Sequence, residues 1–364
     1  MYKYNDIRSL SLEISSNCQA DCPMCARNYH GGLANPLLPI KDIDLEFFKK
    51  ICPDEFIKQL YNITLCGNFG DPIMNQDLIE IIDHITNTNP FIRIEMDTNG
   101  SARSVQWWER LASVLPKNHV VQFGIDGLAD THHIYRINTS FKKIIENATA
   151  FIEAGGKAHW NFITFKHNEH QLEDARAMAK KLKFQGFYEK QTSRFIGDPE
   201  FAILDKQGAT VGVLQQPTEQ RIMFIDRKTL ANYKQALSSA TITCEVEQSN
   251  TIHIDAQGHV WPCSFTAGMP YIFAKPEDLV YNFVVDARSN FMNFLTDKFG
   301  GIEQLDLRNR SIQEVVNSNA WQTEWNTAFR TNSVHVCTRT CGKFPQHDVS
   351  QCRDQFLNLE KFDE

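Results

Sequence analysis

Short β-rich segments alternate with helical patterns over the first 195 residues of the chain. The β-rich segments lie at 9–16, 62–66, 91–97, 119–125, 158–165 and 186–193. Between them, apolar residues recur every three to four positions, as from Phe141 to Ile152 ahead of the helix-ending pair Gly155-Gly156. Strands interleaved with helices predict a parallel sheet with right-handed crossovers. A partial (β/α)6 TIM-like barrel and an open doubly wound sheet both fit this pattern.

The pattern changes in the rest of the chain. A last helical stripe runs from Leu172 to Leu182, and Asn168 is predicted as its N-cap. Breaks such as Gly-Asp-Pro and Gln-Gln-Pro between 196 and 240 indicate a linker or an insertion. Segments 251–255 and 259–262 flank a turn that contains glycine, which predicts a hairpin. We therefore predict a barrel over 1–195, a linker or insertion over 196–240 and a small α+β domain over 241–364.

Composition and charge exclude some classes of function. The chain has 364 residues, of which 42% are hydrophobic and 22% charged, as is typical of globular proteins. Its net charge of −7 gives no electrostatic footprint for nucleic acid or an anionic membrane. The chain lacks an apolar signal stretch and any run near the roughly 18 apolar residues of a membrane helix. We expect a cytoplasmic protein whose ten cysteines are metal ligands or core residues rather than disulfides.

Three of these cysteines form the most informative motif of the sequence. Cys18, Cys22 and Cys25 have the spacing C-x3-C-x2-C, without a fourth cysteine nearby. Thiolates are soft ligands that suit iron–sulfur clusters and zinc, and a closed structural zinc site needs four protein ligands. A four-iron cluster on three cysteines leaves one iron open to another ligand. Because the triad directly follows the first strand, it lies at the edge of the sheet where such folds bind ligands.

The triad in this position resembles the radical S-adenosylmethionine (SAM) superfamily. Three further motifs are similar to elements of that family. Phe69-Gly70-Asp71-Pro72 resembles its Gly-Gly-Glu-Pro element, and Thr98-Asn99-Gly100 resembles its Thr-Asn-Gly turn. Gly124-Ile125-Asp126-Gly127 together with Arg136 resembles the Ser-Ile-Asp-Gly…Arg pattern of its peptide-modifying branch. The resemblance implies that Gly70 and Asp71 bind the SAM amino group and that Thr98 and Asn99 lie near its ribose. Arg136 would pair with the SAM carboxylate, which suits its planar fork.

The same resemblance implies a chemistry. Cys18, Cys22 and Cys25 would hold a 4Fe–4S cluster whose open iron binds SAM, and Met24 would stand beside the adenine. One electron, from a donor such as flavodoxin or ferredoxin, would cleave SAM to a 5′-deoxyadenosyl radical. That radical would abstract hydrogen from a peptide or peptide-like substrate, with oxidation, cross-linking or epimerisation as the outcome. The cofactors would carry the chemistry, while the protein supplies position and exclusion of water.

The remaining distal cysteines resemble the SPASM and twitch extensions of this superfamily. The five are Cys244, Cys263, Cys337, Cys341 and Cys352, with Gly258 five positions before Cys263. A full SPASM domain has seven cysteines for two clusters, so five favour the twitch type with one auxiliary 4Fe–4S cluster. By this analogy the favoured ligands are Cys244, Cys263, Cys337 and Cys341. Cys352 is then a spare thiol that could return a hydrogen atom to the substrate, or it replaces Cys337.

Several alternatives stay open at this stage. The triad or the distal cysteines could bind zinc, and the triad could belong to a ferredoxin-type electron carrier. Among enzymes, a small-molecule dehydrogenase or epimerase acting on a sugar-like precursor is the second candidate. A non-catalytic metal-stabilised binding protein is a candidate of another class. At the level of single residues, Asp126 could contact the substrate or fix a turn, and His132 is interpreted as a surface or loop residue.

Overall fold

The computed structural model describes residues 1–219, 225–226, 240–343 and 356–362. Among these residues the main sheet has nine strands in the spatial order β10-β9-β1-β2-β3-β4-β5-β6-β11. The strands are β1 Ser9–Leu12, β2 Asn62–Leu65, β3 Arg93–Thr98, β4 His119–Gly124, β5 Ala158–Ile163, β6 Gly186–Lys190, β7 Glu200–Leu204, β8 Thr210–Gln215, β9 Thr251–Ile254, β10 Val260–Trp261 and β11 Phe356–Lys361. Strands β7 and β8 form a separate antiparallel hairpin.

The predicted α/β class with a TIM-like partial barrel is confirmed. Strands β1 to β6 are parallel and adjacent in chain order, without the reversal that defines a doubly wound sheet. Burial alternates along β1, where Leu10 and Leu12 are fully buried while Ser9 and Ser11 are only partly buried. One face of the sheet therefore packs against the helices, and the other lines a polar interior.

Helices follow the strands, and some of them begin at side-chain caps. Ser104 accepts a hydrogen bond from the Trp107 amide, and Ser140 accepts one from the Lys143 amide. The helices are α1 Leu45–Ile51, α2 Asp54–Gln59, α3 Leu78–Thr88, α4 Val105–Val114, α5 His132–Tyr135, α6 Phe141–Glu153, α7 Leu172–Lys181, α8 Glu245–Ser249, α9 Ser264–Gly268, α10 Tyr281–Phe299, α11 Ile312–Val316, α12 Asn319–Thr331 and α13 His335–Cys341. Single 3-10 turns lie at Tyr4–Asp6, Pro72–Met74, Glu169–Gln171, Met269–Tyr271 and Ile302–Leu305.

The prediction that Asn168 caps the helix after β5 is wrong. Its amide group instead closes the preceding loop, accepting from the Phe165 amide at 2.7 Å and donating to the Ile163 carbonyl at 3.0 Å. A 3-10 turn separates it from α7, whose N-cap is Gln171. Asparagine side chains readily form hydrogen bonds with nearby backbone groups, so the loop and the helix compete for the side chain of Asn168. Here the side chain bonds to the loop.

The predicted hairpin at 251–262 is confirmed, but it belongs to the main sheet. Strand β9 pairs in parallel with β1, with Ser9 opposite Thr251 and Leu12 opposite Ile254. Strand β10 then adds to β9 in the antiparallel direction. Buried side chains of the C-terminal region, such as Trp261 and Trp325, share one hydrophobic core with the barrel. The region after 241 is thus attached to the barrel along its first strand.

The predicted linker contains a regular hairpin that packs on the triad loop. Strands β7 and β8 meet at a turn where Gly208 has a φ of +85°. The Leu204 amide donates to the His30 carbonyl at 2.9 Å, and the Phe201 ring stacks on the His30 ring with centroids 4.2 Å apart. The segment therefore covers one side of the loop that carries the cysteines. Two-residue strands pair Asn28–Tyr29 with Leu33–Ala34, Ile196–Gly197 with Ile225–Asp226, and Thr241–Ile242 with Gly342–Lys343.

Within the parts of the chain that the structure describes, helices long and apolar enough to cross a membrane are absent.

Candidate active site

The triad loop is held in shape by backbone bonds and by one buried carboxylate. The Cys25 amide donates to the Cys22 carbonyl at 3.0 Å, so the loop turns tightly between the last two cysteines. Asp21 accepts from Arg27 at 3.0 Å and from Lys206 of the β7–β8 hairpin at 2.6 Å. The loop has no helix or strand of its own around the three thiols. These contacts therefore hold it in place on both sides.

The loop brings the three cysteines to one open cavity of about 1060 Å³. The cavity also contains most of the motif residues that the sequence predicted: Gly70, Asp71, Thr98, Asn99 and Arg136. Two predicted residues lie elsewhere. Met24 is buried and lines a neighbouring cavity, and Asp126 is fully buried behind Arg136.

The donor set around the triad fits an iron–sulfur cluster. Three soft thiols face one space, and burial raises the pKa of Cys22 to about 11 and the pKa of Cys18 above its usual range. Nitrogen donors stand close to two of the sulfurs. The Asn99 side-chain amide lies 3.5 Å from Cys18 Sγ, and Arg136 Nη1 lies 4.0 Å from Cys22 Sγ. Such outer groups orient metal ligands and stabilise the negative charge of a cluster.

Asp71 joins two of the predicted SAM loops to each other. Its Oδ2 accepts from the Asn99 backbone amide at 2.7 Å, from the Asn99 side-chain amide at 2.6 Å and from Thr98 Oγ1 at 3.2 Å. Its Oδ1 accepts from the Ile73 amide at 3.2 Å. Burial raises the pKa of Asp71 to about 6. The shorter carboxylate therefore fixes the Thr98-Asn99 turn, while its contact with SAM remains a prediction.

A tight approach between loops explains the glycine of this motif. A side chain at Gly70 would place its Cβ 2.0 Å from the carbonyl oxygen of Ser15, which lies between β1 and the triad. The Asp71 amide donates to the Asn17 carbonyl at 2.8 Å just beside it. Glycine is thus required for close approach of the two loops.

Sequence reasoning missed Glu13, which supports the same loop from below. Glu13 is fully buried, and its Oε1 accepts from the Phe69 amide at 2.7 Å and the Gly70 amide at 3.2 Å. Burial raises the pKa of Glu13 to about 7. Glu13 continues the alternation by which Ser9 and Ser11 face the interior of the sheet. A charged residue at such an inward position was the signal in the sequence from which Glu13 could have been predicted.

Arg136 and Asp126 form a buried ion pair beside Cys22. Arg136 Nε donates to Asp126 Oδ2 at 2.5 Å, and Asp126 Oδ1 accepts from the Ile163 amide at 2.6 Å. Although burial opposes its charge, the neighbouring Asp126 raises the pKa of Arg136. Asp126 therefore positions Arg136, whose guanidinium reaches the cavity and suits a carboxylate.

The same arginine explains the glycine at position 124. A Cβ there would lie 2.4 Å from Arg136 Nη2, which the ion pair with Asp126 holds in place. The arginine thus occupies the space of the serine found in the related motif.

The interpretation of His132 as a surface or loop residue is wrong. It is buried, its Nδ1 accepts from the Asp126 amide at 3.3 Å, and burial lowers its pKa to about 3.

The four favoured distal cysteines come together around a second cavity of about 960 Å³. Cys244 precedes α8, Cys263 precedes α9, and Cys337 and Cys341 lie one turn apart on α13. Apolar residues complete much of the wall: Ile242, Val246, Pro262, Phe265, Phe329 and Val336. Burial raises the pKa of Cys337, and the charges of the other three thiols add to this effect. The predicted fifth cysteine, Cys352, lies outside the described residues.

Comparison with known proteins places these motifs in a family. Residues 12–182 match the family model of the Radical SAM superfamily. A search of curated proteins gives no match to the sequence. Tagged anSMEcpe with bound AdoMet has a similar fold, with a TM-score of 0.53, 12% identity, and coverage of 94% of this chain and 89% of that chain.

A structure of native anSMEcpe with bound AdoMet and Cp18Cys peptide gives a TM-score of 0.51 at 12% identity, covering 94% of this chain and 92% of that one. Streptococcus suis SuiB matches with a TM-score of 0.49 and 16% identity over 72% of this chain, and the match spans only 61% of SuiB. The motifs, the barrel and the matched residues agree, so residues 12–182 form a domain of the radical SAM superfamily, a family of enzymes that use a 4Fe–4S cluster and S-adenosylmethionine.

Proposed function

We propose that this chain is a radical SAM enzyme that modifies a peptide with the help of one auxiliary 4Fe–4S cluster. The observation that carries the proposal is the separation of the cysteines into two cavities. Cys18, Cys22 and Cys25 share a polar cavity with the SAM motifs, whereas Cys244, Cys263, Cys337 and Cys341 surround another one. Three thiolates leave a cluster with an open position, and four thiolates complete one.

In the first cavity the protein supplies ligands and position. When bound, the cluster and SAM together supply a radical that abstracts a hydrogen atom from the substrate. Cys18, Cys22 and Cys25 are the cluster ligands, and Arg136 holds the SAM carboxylate with its guanidinium fixed by Asp126. Glu13 and Asp71 hold the loops that border SAM.

In the second cavity the protein supplies a complete ligand set. Cys244, Cys263, Cys337 and Cys341 would hold the auxiliary cluster through four thiolates. Such a cluster would supply one-electron redox chemistry, which favours oxidation or cross-linking as the outcome. A donor such as flavodoxin or ferredoxin supplies the electron that starts the reaction.

Two observations support a peptide as the substrate. The Gly124-Ile125-Asp126-Gly127 segment with Arg136 is similar to the pattern of the peptide-modifying branch. Native anSMEcpe, whose fold is similar to that of this chain, has been solved with a bound peptide. Both support a peptide as the class of substrate.

Anaerobic reconstitution tests the proposal directly. With dithionite as the reductant, the purified chain is expected to cleave SAM to 5′-deoxyadenosine and methionine. Iron analysis is expected to give about eight irons per chain, because two 4Fe–4S clusters are proposed. Absence of cleavage with intact iron–sulfur absorbance would contradict the catalytic proposal. About four irons, or zinc in their place, would contradict the auxiliary cluster.

The role of Cys352 has its own test. If Cys352 returns a hydrogen atom to the substrate, Cys352→Ala keeps its iron and its SAM cleavage but loses product. Loss of about four irons from that variant would instead identify Cys352 as a ligand.

A further inference from the structure

Four polar side chains on consecutive strands line the triad cavity but belong to none of the SAM motifs. They are Asp97 of β3, Gln122 of β4, Asn161 of β5 and Lys190 of β6. Asp97 and Gln122 are direct neighbours in the register of β3 and β4. The parallel sheet thus projects one polar group per strand into the space beside the cysteines.

The first feature of this group is an acceptor that lacks a donor. Asn161 is only 6% exposed, and its Nδ2 donates to Gln122 Oε1 at 3.0 Å. Its Oδ1 receives no hydrogen bond from any residue that the structure describes. Buried polar atoms of native proteins are almost always paired. An unpaired carbonyl oxygen in a cavity wall is therefore a position where a ligand donates.

The second feature is a pair of opposite charges. Asp97 and Lys190 line the same cavity. Burial raises the pKa of Asp97 and lowers the pKa of Lys190, and the charge of each residue opposes this shift in the other. Both are partly buried at the ends of their strands. Because the two charges balance, the group does not select a ligand by net charge. A carboxylate beside an ammonium instead offers one acceptor and one donor to a neutral ligand.

We propose that Asp97, Asn161 and Lys190 form a substrate subsite that binds a neutral primary carboxamide. The carboxamide nitrogen donates to the Asp97 carboxylate and to Asn161 Oδ1, and its oxygen accepts from the Lys190 ammonium. A primary carboxamide has two N–H donors and a carbonyl acceptor, so it satisfies all three protein groups at once. In a peptide substrate, this group is the side chain of asparagine or glutamine.

Other ligand groups satisfy this subsite less well. A carboxylate pairs with Lys190 but faces the like charge of Asp97, and an ammonium meets the reverse problem. An aliphatic or ketone group offers no donor, so Asn161 Oδ1 stays unpaired. Sites built from buried polar groups reject analogues that lack the matching hydrogen bonds more strongly than apolar pockets reject a change of size.

The inference rests on the proposed function, and binding of small probes tests it separately. Propionamide is titrated into the reconstituted holoenzyme with SAM, and broadening of its proton signals by exchange with the slowly tumbling protein reports binding. Propionate, propylammonium and butanone are the controls of similar shape, and ethanolamine represents amino alcohols. We expect saturable broadening of propionamide with an affinity about tenfold or more above that of each control. Equal broadening by all probes, or preference for ethanolamine, would overturn the carboxamide subsite.

Variants connect the binding to the named residues. Asn161→Leu and Lys190→Met are expected to lose the saturable broadening, whereas Lys180→Met, a change on the exposed face of α7, keeps it. Iron content per chain shows that each variant folds and holds its clusters. Unchanged propionamide affinity in Asn161→Leu would overturn the assignment. SAM cleavage without propionamide, in the same wild-type sample, tests the proposed function independently of this result.

Blocked tripeptides then distinguish the source of the carboxamide. Acetyl-Gly-Asn-Gly-N-methylamide, whose blocked C-terminus carries no primary carboxamide, is expected to bind more tightly than propionamide, with the aspartate and leucine analogues weaker by about tenfold. Binding of propionamide without preference among the tripeptides would show that the carboxamide comes from a small molecule, which would overturn the peptide form of the inference.

Discussion

The two cysteine cavities differ in what surrounds the sulfur atoms. Around Cys18, Cys22 and Cys25 the walls carry charged and amide side chains, among them Arg136 and Asn99. Around the distal four the walls are largely aliphatic and aromatic. A polar wall offers charged and hydrogen-bonding groups to further ligands, while an apolar wall offers few. The contrast supports our proposal that chemistry takes place in the first cavity and that the second one serves it.

The most severe test of this contrast is the loss of one triad thiol. Cys22→Ala is expected to abolish SAM cleavage and to remove about four of eight irons, because a cluster with two protein ligands is not retained. Cys52→Ala is the matched control, since Cys52 is a fully buried core residue that lines neither cavity. Iron analysis and 5′-deoxyadenosine formation are the measurements. Retention of cleavage in Cys22→Ala would show that the triad is not the reactive site.

Loss of a distal thiol separates the two cavities. Cys263→Ala is expected to lower iron to about half, while the signal of the triad cluster persists in electron paramagnetic resonance and still changes on addition of SAM. Product formation is expected to stop, because the auxiliary electron path is gone. Cys66→Ala serves as the control, since the Cys66 thiol bonds to Ser11 and belongs to neither ligand set. Full iron content in Cys263→Ala would remove the auxiliary cluster from the proposal.

The ion pair beside Cys22 has a smaller expected effect. Arg136→Met leaves the fully buried Asp126 without its cation, which is expected to cost about 3–5 kcal/mol of unfolding free energy. The variant is also expected to bind SAM more weakly, because the carboxylate partner is lost. Arg136→Lys restores the charge but not the planar fork, so it should recover stability more than SAM affinity. Equal SAM affinity in wild type and Arg136→Met would exclude the proposed contact.

The smallest expected effect concerns Glu13 and pH. Folding raises the pKa of Glu13 from 4.5 to about 7, so between these values the native state binds its proton more tightly than the unfolded state. Stability therefore falls as pH rises through this window and on to about pH 8, and roughly 1 kcal/mol of the loss lies between about pH 6 and pH 8. Glu13→Gln should flatten this dependence in anaerobic denaturant titrations followed by circular dichroism. An identical pH dependence in the variant would show that Glu13 is not the titrating group.

The sequence predicted the elements and the cysteines more reliably than the contacts between distant segments. Six strands and the 251–262 hairpin followed from local alternation and turn residues. Local pattern could not show that β9 pairs with β1, because that pairing joins opposite ends of the chain. It also could not show that Asp71 uses its oxygens within the protein or that His132 is buried, since both depend on tertiary contacts. Glu13 was not predicted as a site residue, because no sequence motif identifies a single buried carboxylate.

The pairing of β1 with β9 also sets an order of events during synthesis. Ser11 and His253 are neighbours across these strands, yet they stand 242 positions apart in the chain. At about 5–20 residues per second, the ribosome needs roughly 10–50 s to deliver β9 after β1 has emerged. During that time one edge of β1 is unpaired and open to pairing with other chains. We expect the loop that holds Cys18, Cys22 and Cys25 to reach its final geometry only after residue 254 has left the ribosome.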